Sequence, residues 1–168
     1  MSLFDRPLYR TRQFFGSFRP RLQDSERAAA TAFLGDRLWS LFESMNTRDQ
    51  RHSIDTFRLL KGQGCVDSDL LSAALLHDVG KGRLAGARVR LWHRVVYVLL
   101  AAGAPSLLRR LTNGRGGLAN LRHHAERGAV VAEALGVGPA TVELIRRHHD
   151  DDIADERLGM LRAADESC

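Results

Sequence analysis

The fold is decided by residues 70–81, which read LLSAALLHDVGK. Leu and Ala are strong helix formers and Asp67 or Ser68 can cap the start, so the stretch predicts a buried helix. That helix ends on adjacent His77 and Asp78. Leaving either side chain unsatisfied in a core costs about 1–3 kcal/mol, so we expect a polar or charged partner there. A divalent cation would satisfy both side chains, whereas an ordinary hydrogen-bonded pair is the alternative for a lone doublet.

Hydrophobic periodicity predicts helices on both sides of this stretch. Pro105 should break the apolar segment 88–111 into two short helices. The apolar residues of this segment predict that one of its faces is buried. Pro139 can begin a helix because its missing N–H is harmless at the first position. The other predicted helices cover residues 24–45, 47–62, 121–135, 139–149 and 156–166. We therefore expect an all-α domain of seven or eight helices.

Composition limits the organisation of the chain. With 168 residues and 44% hydrophobic content, it has room for one domain with a core, which we place at residues 24–168. The formal charge of +5 favours anionic partners such as phosphorylated compounds. Two cysteines make no disulfide framework, and the sequence shows neither a signal-peptide pattern nor a run of about 20 apolar residues. We expect a cytoplasmic protein with no transmembrane segment.

Residues 1–23 form a basic aromatic arm, in which arginines alternate with phenylalanines and a tyrosine. The simplest interpretation is that its aromatic side chains pack on the domain or on a second subunit of a homodimer. Peripheral contact with anionic lipid or with nucleic acid is the alternative.

The remaining histidines change the interpretation of the His-Asp doublet. The chain has His52, His77, His93, His123, His124, His148 and His149, and a carboxylate follows at Asp165. The order His, His-Asp, His, His-His, Asp resembles the HD-domain metal-dependent phosphohydrolase superfamily. The histidine pair is similar to that of HD-GYP and related cyclic-dinucleotide phosphodiesterases. The likeness runs from about residue 51 to residue 165 and implies the helical bundle of an HD domain.

The resemblance also implies two ligand sets. One metal ion would be held by His52, His77, Asp78 and Asp165, and the other by Asp78, His124, His148 and His149. Asp78 would bridge the two ions, and Lys81 would contact phosphate; a solvated lysine at the helix end is the alternative for Lys81. Adjacent helical side chains point about 100° apart, so only one of His123 and His124 can readily face the site. The spacing to Gly128 selects His124, and we interpret His93 as structural or surface.

The ligand types indicate the chemistry. A mixed set of imidazoles and carboxylates suits two divalent transition-metal ions, Fe or Mn first, with Zn, Co, Ni or Mg as alternatives. Such a centre can activate water and hydrolyse a phosphoester. No Gly-Tyr-Pro follows the histidine pair, so a cyclic dinucleotide, a mononucleotide and other phosphoesters stay open as substrates. Two other functions also stay open: a non-catalytic regulatory module that binds metal or nucleotide, and a di-iron oxygenase.

Overall fold

The computed structural model describes residues 21–86, 89–150 and 155–168, which form eight α-helices and contain no strand. The all-α prediction is therefore confirmed. The helices are α1 (Asp24–Ser44), α2 (Thr47–Gly62), α3 (Ser68–Leu76), α4 (Leu91–Gly103), α5 (Pro105–Thr112), α6 (Gly117–Ala134), α7 (Pro139–Arg147) and α8 (Glu156–Ser167). Two short 3-10 turns, Val79–Lys81 and Arg83–Ala85, follow α3. Most of the predicted basic aromatic arm lies outside the described residues.

The helices begin where the sequence offers caps. The side chains of Asn46 and Asp67 each accept hydrogen bonds from two backbone N–H groups in the first turns of α2 and α3. Pro105 and Pro139 occupy the first turns of α5 and α7. These residues satisfy or remove backbone donors that a helix start leaves without partners.

The core is built around α3, which packs against α1, α2, α7 and α8. Residues 73–80 are buried without interruption, from the second half of α3 into the following turn. Full burial of one leucine contributes about 1.5–3 kcal/mol, so this apolar segment anchors the bundle. Its polar end, His77 and Asp78, is consequently fixed in the interior.

The turn after α3 packs directly against the backbone of α6. A Cβ atom on Gly80 would lie 1.9 Å from the carbonyl oxygen of His124 and 2.8 Å from the amide nitrogen of Gly128. A Cβ atom on Gly128 would lie 3.0 Å from the amide nitrogen of Gly80. Only glycine permits this approach, which brings Asp78 and Lys81 beside His124.

The expected burial of one face of segment 88–111 is wrong for α4. None of the residues of α4 is buried, although its inner side is partly covered. In α5, Leu108 and Thr112 are buried. Periodicity shows which side chains share a helix face, but it does not show whether another element covers that face. Within the described ranges, no helix has both the length and the apolar content that crossing a bilayer requires.

Two helices depart from regular geometry. α1 is kinked at Gly35, whose φ of 72° lies in the left-handed region that glycine favours. α6 begins at Gly117, four residues before the predicted start, and bends at His123, where φ is −113° and ψ is 20°. The bend lies immediately before His124.

Candidate metal centre

The structure brings all seven predicted ligand residues together inside the bundle. His52 comes from α2, Asp165 from α8, and the others from the ends of α3 and α7 and from the bend of α6. Two groups of potential ligand atoms form, each with its atoms within 4.8 Å of one another. The groups are His52, His77 and Asp78, and His124, His148 and His149. Five helices thus supply side chains to one place.

Asp165 joins the first group through its Oδ1 atom. This oxygen lies 2.6 Å from Nε2 of His52 and 3.3 Å from Nε2 of His77. Nε2 of His77 also lies 3.7 Å from Oδ1 of Asp78. Nε2 of His77 therefore lies between two carboxylates, those of Asp78 and Asp165.

The second group consists of three imidazoles whose Nε2 atoms converge. Nε2 of His124 lies 3.2 Å from that of His148 and 3.0 Å from that of His149. Oδ1 of Asp78 lies 3.5 Å from Nε2 of His124. Since the same oxygen also faces His77, Asp78 lies between the two groups, where the resemblance implies a bridging ligand.

Backbone carbonyl groups orient three of the imidazoles. Nδ1 of His77 donates to the carbonyl oxygen three residues earlier in its own helix, and the same holds for His124 and His148, at 2.7–3.0 Å. His77 and His148 cap the ends of α3 and α7, and His124 follows the bend of α6, so these carbonyls lie where the helical ladder is interrupted. With the proton on Nδ1, a neutral ring directs its Nε2 lone pair into the cluster, which is the form that the lowered pKa values of His124 and His148 favour; the raised pKa of His77 means that this ring reaches that form only on losing a proton.

The contact between His124 and His148 could accommodate a cation. With both Nδ1 atoms donating, two neutral rings would face each other with lone pairs and no proton between them. Two nitrogens about 2.0–2.1 Å from one metal ion are about 2.9–3.4 Å apart at ordinary coordination angles. The observed Nε2 separations of 3.2 and 3.0 Å fall in that range. These separations are compatible with a shared metal ion.

Two buried atoms at the centre lack hydrogen bonds. Nε2 of His77 and Oδ1 of Asp78 are inaccessible to solvent and make no hydrogen bond of acceptable geometry. Nζ of Lys81 lies 2.6 Å from Oδ1 of Asp78 and forms an ion pair with it, which offsets part of the carboxylate charge. The charged neighbours Asp165 and Lys81 offset part of the cost of burying both atoms, and a cation beside Oδ1 of Asp78 would offset more of it.

Burial and mutual charge shift the pKa values of the cluster. Burial opposes protonation of His77, but the carboxylates of Asp78 and Asp165 outweigh it and raise the pKa of His77 to about 9. Burial favours the neutral acid at Asp78, but the neighbouring Lys81 and His77 charges hold the pKa of Asp78 well below its usual value. Asp165 follows the same pattern, mainly through His77. Both carboxylates are therefore ionised and available to a cation at neutral pH.

The second group has the opposite character. Burial lowers the pKa of His148 to about 3 and that of His124 well below its usual value. His149 is exposed as a residue, yet its Nε2 contact is partly buried and desolvation lowers its pKa as well. These imidazoles are neutral near pH 7, which is the form that binds metal.

Comparison with known proteins does not identify a family. No protein-family model, no curated protein and no solved structure matches this chain significantly. Membership of the HD-domain superfamily therefore stays a prediction that rests on the motifs. The buried cluster is a property of the chain itself and does not depend on that likeness.

The other sequence candidates lie apart from the cluster or at its edge. His123 is exposed, beside the buried His124. His93 accepts a hydrogen bond from the backbone N–H of Arg90, and its ring lies against Gly117. The Lys81 side chain is only 13% exposed, so it is not the freely solvated lysine of the alternative interpretation.

Sequence reasoning missed two features that shape the centre. One is the backbone contact between Gly80 and Gly128, and the other is the set of carbonyl groups that orient the imidazoles. The only sequence signal for the first was the glycine four residues after His124. Predicting the second feature requires the exact positions of the helix ends, which local sequence patterns locate only to within a few residues.

Proposed function

We propose that this protein is a metal-dependent phosphohydrolase that uses a dinuclear centre to hydrolyse a phosphoester, that of a nucleotide or cyclic dinucleotide. The observation that carries the proposal is the convergence of five imidazoles and two carboxylates from five helices, in which hydrogen bonds from Nδ1 to backbone carbonyls direct the Nε2 atoms of His77, His124 and His148 inward. A polar core needs hydrogen-bonded pairs, whereas the Nε2 atoms of His124 and His148 face each other as two acceptors 3.2 Å apart. A shared metal ion would account for this contact.

The donor set limits the metal. Imidazole suits Fe, Mn, Co, Ni and Zn, and carboxylates extend the range towards Mn and Mg, so Fe or Mn fits the mixed set best. His52, His77 and Asp165 would hold one ion, the second histidine group would hold the other, and Asp78 would contact both. Bound ions would supply activation of water as a nucleophile and charge stabilisation for the phosphate oxygens.

The protein's own residues account for binding and orientation. His148 is 1% exposed whereas His149 is exposed, so substrate would approach on the His149 side. Lys81 lies beside Asp78 and carries a positive charge on a flexible stem that can reach a phosphate oxygen. The hydrogen bonds from Nδ1 to backbone carbonyls hold the rings in position without reorganisation during the reaction. A cytoplasmic location, where nucleotides are abundant, suits this activity.

Metal analysis combined with a hydrolysis assay tests the proposal. Purified wild type should contain about two metal ions per chain and release nitrophenol from bis-nitrophenyl phosphate when Mn or Fe is supplied. Asp78→Ala should lose both properties, because it removes the carboxylate between the two groups. His123→Ala, an exposed histidine beside the cluster, should keep both and serves as the matched control.

Two results would contradict the proposal. Wild type that binds metal fully but hydrolyses no mononucleotide, cyclic dinucleotide or nitrophenyl phosphoester would favour the non-catalytic regulatory module. Wild type that binds no metal would leave the histidines as a polar core. Circular dichroism of each variant separates loss of the site from loss of the fold.

A further inference from the structure

The outer side of the α4 and α5 pair exposes an apolar surface that no described element covers. It consists of seven side chains whose exposed fractions lie between 45% and 65%: Leu91, Trp92, Val95, Val98, Leu99, Leu107 and Leu111. These seven residues are the α4–α5 apolar face. The five on α4 recur at helical spacing, so they form one continuous stripe along the helix. A contiguous row of exposed apolar side chains along one helix face is typical of an interaction site.

The sequence segment that contains this face carries charge of one sign. Residues 79–125 contain nine of the chain's 25 Lys and Arg residues and none of its 20 Asp and Glu residues. The rest of the chain has 16 basic and 20 acidic residues. Arg94 is paired with Asp49 of α2. Several other arginines in the segment are exposed and form no ion pair with any residue of the described ranges: Arg83, Arg90, Arg109, Arg110 and Arg115.

We propose that the α4–α5 apolar face binds the surface of a membrane that contains anionic lipids. Apolar side chains on one face of a helix can enter the boundary between headgroups and acyl chains. Arginines around that face bind the lipid phosphates, each contributing electrostatic attraction to an anionic leaflet. Trp92 lies near the start of α4 and suits the interface, because its ring is apolar and its N–H is polar.

Charge complementarity selects the membrane over other occupants. A second copy of this chain would bring the same basic surface against itself. The first 20 residues carry four arginines and a single acidic residue, so they would also bring like charge. A nucleic acid complements the charge, but its phosphates and base edges would leave the valine and leucine stripe without an apolar partner. Anionic lipid satisfies both the charge and the apolar area.

Vesicle sedimentation with the full chain tests this proposal. Wild type should sediment with vesicles of phosphatidylcholine and phosphatidylglycerol, but not with phosphatidylcholine alone, and added salt should weaken the binding. The double variant Val95→Gln with Leu99→Gln should bind at least roughly tenfold more weakly. Replacing Arg109 and Arg110 by Gln should weaken binding roughly fivefold per arginine.

A matched control and a spectroscopic readout locate the contact. Val130 on α6 is 53% exposed, similar to Val95 at 52%, but lies outside the acid-free segment, so Val130→Gln should bind vesicles as wild type does. Lipids brominated in the acyl chains should quench the fluorescence of wild type. The same lipids should leave a Trp92→Phe variant nearly unquenched, because the other tryptophan, Trp39, is on α1.

Several outcomes would overturn the proposal. One is failure of wild type to sediment with the anionic vesicles, and another is unchanged sedimentation of the Val95 and Leu99 double variant. Retention of duplex RNA that the same variants abolish, without vesicle binding, would assign the face to nucleic acid. A dimer in light scattering that the same variants abolish would assign it to a second copy. The experiment uses no hydrolysis, so its failure is distinct from failure of the proposed enzyme.

Discussion

Asp78 is 2% exposed in the middle of the bundle, whereas Leu99 is 65% exposed on the outer side of α4. Globular proteins ordinarily place these residue types the other way round, since unpaired buried charge and exposed apolar area are both unfavourable. We attribute both unusual positions to a ligand: a metal ion for the buried Asp78 and an anionic membrane for the exposed Leu99. Residues that depart from the usual pattern of burial are therefore the places where function should be sought.

The two regions also differ in how they are supported. The interior cluster receives side chains from five helices and is fixed by backbone contact between the turn after α3 and α6. α4 and α5 pack on each other and on α6, and they leave the seven residues of the α4–α5 apolar face 45–65% exposed. Substitutions in the interior cluster should therefore disturb several helices, whereas substitutions on the α4–α5 apolar face should affect only the residues around them.

The largest effect is expected at Gly80. A Gly80→Ala methyl group would overlap the carbonyl oxygen of His124, so α3 and α6 must separate. We expect a loss of about 3 kcal/mol or more in the free energy of unfolding, measured by urea denaturation. Gly62→Ala is the matched control, because nothing lies within 4 Å of its Cβ position. Equal stability of the two variants would show that α6 does not approach the turn this closely.

The adjacent histidines of α6 give the next largest contrast. If His124 is the direct ligand that we propose, His124→Ala should weaken metal binding by more than about 100-fold. His123→Ala should leave metal binding unchanged, because that side chain is exposed. Metal titration by calorimetry, with circular dichroism to verify folding, measures both. Similar affinities for the two variants would remove His124 from the ligand set.

The ion pair between Glu26 and Arg51 should contribute an intermediate amount of stability. The side chain of Glu26 is 9% exposed and lies 2.5 Å from Arg51, whose hydrogen bond lowers the pKa of Glu26 from 4.5 to about 2. The pair therefore contributes stability that is complete above pH 4.5 and is lost as the pH falls towards 2. Glu26→Gln should destabilise the protein by about 1–2 kcal/mol at pH 7.

Denaturation of wild type and Glu26→Gln across this pH window checks the prediction. The difference between the two proteins should shrink steadily between pH 4.5 and pH 2. A difference that stays constant over this window would mean that the carboxylate charge of Glu26 is not what stabilises the contact with Arg51.

The smallest effect on stability is expected on the outer side of α4. Leu99→Ala should change the free energy of unfolding by no more than about 0.5 kcal/mol, because the side chain has little to lose on truncation. Val130→Ala on α6 provides a reference of similar exposure. If Leu99→Ala alone costs more than about 1 kcal/mol, the face is covered in the folded protein.

Local chemistry made much of the fold predictable. Asn46, Asp67, Pro105 and Pro139 mark helix starts through effects that act within one turn, and the structure places helix starts at each. The residues of the cluster could be predicted because His-Asp and His-His doublets are uncommon in sequences and occur here in the order of a known motif. Whether those residues bind metal is still a prediction that the experiments above address.

What the sequence could not predict depends on contacts between distant elements. Exposure of the α4 stripe follows from the absence of a covering element in the described ranges, which no periodicity reveals. The approach of Gly80 to His124 joins residues 44 positions apart, and a lone glycine signals equally well a turn or a helix end. Tertiary packing decides both.

The three hydrogen bonds from imidazole to backbone also link the candidate centre to the motion of the helix ends. The acceptors are the carbonyl oxygens of Ala74, Leu121 and Ile145, each one turn before the histidine it holds. A ring cannot rotate away without freeing its carbonyl, so loosening of the end of α3 or α7, or of the bend in α6, would accompany release of a bound ion. An ion bound at this place would hold together three segments that are far apart in the chain. Slow exchange of their terminal amide protons would then report its presence.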